Sequence, residues 1–242
     1  MRTSLIVALM ALLVMTASMA LAQGWETNDI WGPEDVANTA KPSWFGASGM
    51  IVVPTAQTVA PQAIQAHYHS IRLEDDSSKA IADDWYDVWG ANVGITDGLE
   101  AGATRMVEES ETLFQAKYNM HLGELLDNPD LPDVAIGSRD IGDKLNRVLY
   151  VTVTKDLVIK EDRTSMLRAT VGYGDTEIPG APLDGVFGGI DFTPFDYTRV
   201  QIEHDGENVN ASVTYWWVQW LATEVGLLDG DFAWGVNAAT SF

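Results

Sequence analysis

The sequence predicts an all-β fold, an antiparallel transmembrane β-barrel of about 12 strands, with a range of roughly 10–14. Runs of alternating apolar and polar residues follow one another from residue 44 onward, separated by turns rich in Gly and Asp. The runs are about nine to eleven residues long, which suits a tilted membrane-spanning strand. Aromatic residues stand at the ends of the apolar rows, as in the interfacial girdles of membrane barrels.

The N-terminus predicts export. Arg2 precedes a long apolar stretch that ends at Ala20-Leu21-Ala22, where the sequence becomes polar. This pattern predicts a secretory signal peptide over residues 1–22, cleaved after Ala22. The alternative is an uncleaved membrane helix, which the length of the stretch would just allow. Residues 23–43 are expected to form an N-terminal arm or linker, and residues 44–242 the β-barrel domain.

Composition excludes several classes of protein. Hydrophobic residues make up 46% of the chain and aromatic residues 10%, which is too many for a disordered chain. The formal net charge of −21 argues against a nucleic-acid partner, which would require clustered Lys and Arg. The chain contains no cysteine, so an exported protein must gain its stability from something other than disulfides. A closed sheet would supply it.

The period-two alternation assigns one face of each strand to lipid and the other to the lumen. The lumen-facing positions carry small residues with scattered charges. A short segment over 121–128 is the one plausible helical piece. The predicted lipid-facing rows are Asp87, Trp89, Ala91, Val93 and Ile95; Phe114, Ala116, Tyr118 and Met120; Leu149, Val151 and Val153; Leu167, Ala169, Val171 and Tyr173; Val186, Gly188, Ile190 and Phe192; Val200 and Ile202; Val209, Ala211, Val213, Tyr215 and Trp217; and Phe232, Trp234, Val236, Ala238, Thr240 and Phe242.

The last of these rows ends on an aromatic residue. In hydrocarbon no strand edge can stay unpaired, so the last strand must pair with the first. A final strand that ends in an aromatic residue also resembles those of bacterial outer-membrane barrels. That resemblance implies a C-terminal signal, Phe232, Trp234, Val236 and Phe242, which the barrel assembly machinery recognises.

Four stretches, in order along the chain, resemble the YjbH-like family of outer-membrane proteins. They are "GASGMIVVPTA" (46–56), "GITDGLEAGA" (94–103), "GSRDIG" (137–142) and "VFGGIDFTPFDYTRVQIEHDGEN" (186–208). His204 departs from the pattern, because the family has an aromatic residue there. The resemblance implies a non-enzymatic outer-membrane barrel involved in exopolysaccharide production or export, or in envelope organisation. It implies outer-membrane lipid and polysaccharide or export components as partners.

The charges on the lumen-facing positions predict a polar network inside the barrel, formed by Lys117, Arg168, Arg199, Glu203 and Asp205. Further inward charges are Asp191, Glu100 and Arg139. Such side chains either fill the interior of a barrel of about this size or line an open channel. Both interpretations follow from the sequence, although a filled interior is favoured.

Two other functions fit parts of the sequence. A secreted or periplasmic β-sandwich would bind glycans through Trp216, Trp217 and Trp220. An outer-membrane hydrolase would use Glu203 and Asp205 as paired carboxylates. His67 and His69 share a strand face but have no evident third ligand for a metal. We therefore expect no catalytic, cofactor-binding or metal site.

Overall fold

The computed structural model describes residues 40–73, 84–128, 130–158, 166–195 and 197–241. The predicted signal peptide, most of the predicted arm and Phe242 lie outside the described residues. The strands are β1 (Ala63–Leu73), β2 (Asp84–Thr96), β3 (Leu99–Met106), β4 (Glu111–Asn119), β5 (Asp133–Arg139), β6 (Val148–Val158), β7 (Met166–Thr176), β8 (Gly185–Phe195), β9 (Thr198–His204), β10 (Val209–Val218), β11 (Leu221–Leu228) and β12 (Asp231–Ser241). One short helix, α1 (Leu122–Leu125), lies within the predicted helical segment.

The twelve strands form one closed antiparallel barrel in which each strand pairs with its neighbours in the sequence. Closure comes from β1 and β12, which pair from Ala63 opposite Ser241 to Ile71 opposite Ala233. The predicted fold class is therefore confirmed. The sandwich alternative is wrong, because the first and last strands pair and leave a single closed sheet.

The alternation places each strand's two rows as predicted. Outward residues such as Trp89, Phe114 and Val186 are 54%, 57% and 66% exposed. Inward residues such as Lys117 and Glu203 are buried. The outer surface is thus a wall of apolar and aromatic side chains around a polar interior, which is the arrangement of a lipid-facing barrel. Among the described residues, no helix has the length and apolar character needed to cross a membrane.

Residues 40–62, the inner segment, precede β1 and form no named strand. They fold back inside the barrel through isolated bridges between Pro42 and Ser48 and between Gly49 and Pro54. Trp44, Met50, Ile51 and Val53 are fully buried there. Most of the segment belongs to the predicted barrel domain, but it fills the lumen, and its end joins the wall where Pro61 bridges Gly94 of β2.

Part of the inner segment joins an apolar core with the barrel wall. The core contains Trp44, Met50, Ile51, Val52, Val53, Ile71, Val148, Tyr150, Leu183, Phe187 and Ala233. These side chains come from the inner segment, from four strands and from the loop after β7. Burial of this apolar surface stabilises the segment inside the barrel, and polar contacts then fix its position.

Candidate functional site

The Glu203 carboxylate of β9 holds the tip of the inner segment. Its Oε1 accepts a hydrogen bond of 2.7 Å from the Val52 N–H, and its Oε2 accepts bonds of 3.0 and 3.1 Å from the Ile51 and Val53 N–H groups. The Asn210 amide donates to Oε1 over 3.1 Å. Three successive backbone donors that point at one carboxylate form an anion-binding nest. The Glu203 carboxylate on the barrel wall therefore holds the tip of the segment in place through these hydrogen bonds.

A second carboxylate, Glu100 of β3, binds the segment nearer its ends. It accepts hydrogen bonds from the Ser48 N–H at 2.7 Å and the Val59 N–H at 2.8 Å. Lys117 Nζ lies 3.5 Å from Glu100 and donates to the Ser48 and Thr55 carbonyl oxygens at 2.6 and 3.0 Å. Both charged side chains thus also form hydrogen bonds with the backbone of the segment. These bonds offset part of the free-energy cost of burying the two charges.

A third group joins Lys41 of the segment to Glu224 of β11. Lys41 Nζ lies 3.0 Å from both carboxylate oxygens and 2.8 Å from the Met50 carbonyl oxygen. Burial lowers the pKa of Lys41, while the charge of Glu224 opposes that shift. The Ser212 hydroxyl donates to Glu224 over 2.7 Å, and His69 Nε2 lies 3.7 Å away. The segment therefore carries one cation of its own into the lumen.

Arg168 and Arg199 lie on β7 and β9, and both side chains are buried. Arg168 donates to Asp156 on β6 and to the Gln57 side chain of the inner segment. Arg199 lies 4.0 Å from Asp191 and stacks over the Trp216 ring at 5.1 Å from its centroid. This stacking explains why Trp216 faces the lumen, while Trp217 and Trp220 lie exposed outside.

Asp205 forms hydrogen bonds with residues close to it in the sequence. Its carboxylate accepts hydrogen bonds from the Glu207 and Asn208 N–H groups and from the Asn210 amide. It thereby caps the turn between β9 and β10. Glu203 and Asp205 are both buried and committed to these partners. Glu203 is covered by the inner segment, and Asp205, although it lines a cavity at one end of the barrel, has both carboxylate oxygens bonded to its turn and to Asn210, so the two do not form the free carboxylate pair that the hydrolase alternative requires.

The five residues of the predicted lumen network all face the interior, but they lie in separate groups. Lys117, Arg168 and Glu203 contact the inner segment, Arg199 contacts β8 and β10, and Asp205 caps a turn. Sequence reasoning missed Lys41 and Glu224. Glu224 stands at an inward position of the alternating run "LATEVGLL", and that was the available signal.

His67 and His69 are both buried in the lumen. The His69 ring stacks on Trp44 of the inner segment with centroids 4.8 Å apart, and His67 lies 5.4 Å from His69. Within the described ranges, no group of three or more His, Cys, Asp or Glu residues lies close enough to hold a metal ion. The His69 ring packs against the segment, and the His67 ring lies against His69 inside the lumen.

The Gly49→Ala variant tests how tightly the inner segment is folded. A Cβ at residue 49 would lie 2.5 Å from the Val53 carbonyl oxygen and 2.9 Å from Pro54 Cα. These are backbone atoms and cannot move aside singly. We expect the free energy of unfolding in detergent to fall by about 1–3 kcal/mol.

The matched control is Gly142→Ala, in the turn after β5, where the nearest atom to a new Cβ is 3.8 Å away. Urea titration followed by gel mobility without heating measures both variants. Equal stability of Gly49→Ala and the control would contradict the tight turn.

Comparison with known proteins gives structural likenesses only. The chain matches no protein-family model and no curated protein sequence. It is similar to the structure of the KdgM porin, with 12% identity, a TM-score of 0.46, and coverage of 74% of this chain and 99% of that one. A further structure is of the KdgM porin in complex with disordered oligogalacturonate, at a TM-score of 0.45, with the same identity and coverage.

The chain is also similar to the COG4313 outer membrane channel from Pseudomonas putida F1. The identity is 9% and the TM-score 0.40, over 80% of this chain and 100% of that one. The twelve-strand count and the closure of the barrel rest on the chain's own strand register.

Proposed function

We propose that the chain is a non-enzymatic outer-membrane β-barrel of the YjbH-like kind, which takes part in exopolysaccharide production or export or in envelope organisation. The observation that carries the proposal is the combination of an apolar outer wall with a polar lumen that the chain fills with its own residues 40–62. A wall of exposed Trp, Phe, Val and Ile side chains is suited to lipid. A closed sheet leaves no unpaired backbone groups in hydrocarbon.

The positions of the resembling stretches support the YjbH-like assignment. The stretch 46–56 is part of the inner segment. Glu203, from the fourth stretch, accepts hydrogen bonds from residues 51–53 of the first. Gly46 packs against the side chain of Arg139 from the third, where an added Cβ would lie 3.3 Å from Arg139 Cδ. Residues far apart in the sequence thus meet at one place, as expected if they serve one role.

Export fits this structure on one condition. The inner segment occupies the lumen, so passage of a polymer requires its residues to leave their partners Glu100, Glu203 and Glu224. A role in production or envelope organisation needs no such movement. Outer-membrane lipid and the barrel assembly machinery are the proposed partners during assembly, after cleavage of the signal peptide at residue 22.

Cell fractionation and measurement of the secreted polysaccharide together test the proposal. We expect the protein in the outer-membrane fraction, with a gel mobility that changes on heating because a folded barrel resists detergent. Deleting the gene should reduce cell-free polysaccharide, and the wild-type gene should restore it. The Thr193→Ser variant is the control for restoration, because it keeps a buried hydroxyl in the lumen wall. Unchanged polysaccharide in the deletion strain would contradict the proposed role, even with the protein correctly located.

A further inference from the structure

A cavity of about 440 Å³ lies above the inner segment, at the end of the barrel formed by the turns 140–147, 205–208 and 229–230. Phe45 and Val52 of the inner segment form part of its lining. Its other apolar lining residues are Ile71, Tyr86, Met106, Leu113, Leu145, Pro182 and Leu228. A volume of this size with mainly apolar walls is typical of small-molecule sites, where a few polar groups fix the orientation of the ligand.

Arg139 is the one cation among the described residues that line this cavity. Its stem packs against Gly46, next to Phe45 of the cavity lining. Within the described part of the chain, its guanidinium makes no hydrogen bond and no ion pair. Arg139 is half-buried, and a guanidinium whose five donors have no protein partner can bind a carboxylate through two parallel hydrogen bonds.

The two acidic residues whose charges act on Arg139 already accept hydrogen bonds from other groups. Asp140 and Asp205 act on Arg139 electrostatically. However, the Asp140 carboxylate accepts hydrogen bonds from the Lys144, Leu145 and Asn146 N–H groups. Asp205 is occupied by its own turn and by Asn210. Both lower the cost of burying the Arg139 charge while leaving its donors available for a ligand.

The acidic rim restricts which anion can bind. Asp205, Glu207, Asp229 and Asp231 also line the cavity; Asp205 is buried, whereas Glu207 and Asp229 are exposed to solvent. Water and salt weaken the field of the exposed carboxylates, whereas a ligand that pairs with Arg139 contacts the guanidinium directly. The acidic rim does repel a ligand with several negative charges. A single carboxylate on an apolar body satisfies both the guanidinium and the walls.

We propose that this cavity binds a small monocarboxylate with an apolar body, held by Arg139 through its carboxylate and by the apolar lining through its body. This binding site is separate from the polysaccharide role proposed above. It does not require the inner segment to move, because Phe45 and Val52 form part of the site.

Isothermal titration calorimetry with the detergent-solubilised full chain tests the proposal. The probe is 3-phenylpropionate, and 3-phenylpropanamide is its uncharged analogue. We expect the acid to bind about tenfold or more tightly than the amide, because only the acid pairs with a guanidinium. We expect Arg139→Gln to weaken binding of the acid by a similar factor. Arg147→Gln should bind the acid as the wild type does, because Arg147 pairs with exposed Glu177 and does not line the cavity.

Three results would overturn the proposal. Equal binding of acid and amide to the wild type would overturn it without use of any variant. No binding of the acid would also overturn it. Binding of glucuronate with no binding of 3-phenylpropionate would show that the site takes an acidic sugar, which contradicts the apolar body. Heat-modifiable gel mobility of Arg139→Gln checks that a loss of binding comes from a folded barrel.

Discussion

Replacing Glu203 by Gln will open the lumen to ions. The carboxylate accepts three backbone N–H bonds and one amide bond, with donors on both of its oxygens. A Gln side chain keeps one acceptor oxygen and turns a donor group toward the remaining N–H groups. Each buried donor left without a partner costs roughly 1–3 kcal/mol. The tip of the inner segment then loses part of the hydrogen bonding that holds it to β9.

Single-channel recording in planar lipid bilayers measures the effect. We expect the wild-type barrel to stay closed, because the inner segment fills it, and the Glu203→Gln barrel to show frequent open events. The matched control is Glu207→Gln, which removes the same charge from an exposed position four residues away and should stay closed. A Glu203→Gln barrel that is as closed as the control would show that the Glu203 carboxylate is not needed to keep the segment in the lumen.

The sequence alone predicts the wall of this barrel because the wall obeys a local rule. Successive side chains of a strand point to opposite faces. The rows around Phe114, Val151 and Val171 therefore reveal their orientation from spacing alone. Where the connection is a two-residue turn, as between β2 and β3 or between β11 and β12, the pairing of the two strands follows directly from the sequence. Closure follows from the need to leave no edge in hydrocarbon.

The filling of the lumen does not follow from a local rule. Residues 40–62 have no strand or helix periodicity, and several of their backbone donors find acceptors 41 to 152 residues away in the sequence. Single inward carboxylates such as Glu100 and Glu203 are as compatible with an open channel as with a filled one. Only the positions of three carboxylates around one segment distinguish the two interpretations. The stretch 46–56 was recognisable as distinctive, but its place inside the barrel was not.

The filled lumen also determines how the barrel tolerates substitutions at lumen-facing positions. A lumen-facing residue of an open channel accepts a long side chain, so Thr152→Arg would be mild there. In this barrel Thr152 has no exposed surface, and its hydroxyl donates to the Pro54 carbonyl oxygen over 3.1 Å. An arginine at residue 152 would displace the inner segment. The inward row of β6 therefore gives no permissive control for a substitution on its outward row.

A charge on the outer wall provides the sharpest test of the membrane assignment. Val151 lies on the outward row of β6, 40% exposed, between Ile136 of β5 and Tyr173 of β7. If this wall faces lipid near the middle of the bilayer, Val151→Arg should lower the free energy of unfolding in lipid vesicles by about 2–4 kcal/mol. The guanidinium would have to leave water for hydrocarbon.

Leu157→Arg is the matched control, because Leu157 belongs to the same outward row and is 44% exposed. It lies near the end of β6 beside Lys155 and Asp156, where polar side chains already occur. Near the interface the cost of an arginine should fall to about 0–1 kcal/mol. In water, both exposed positions would accept arginine with changes of about 0.5 kcal/mol or less. Urea titration of both variants in vesicles measures the difference, and equal small costs would show that the apolar wall does not lie in a bilayer.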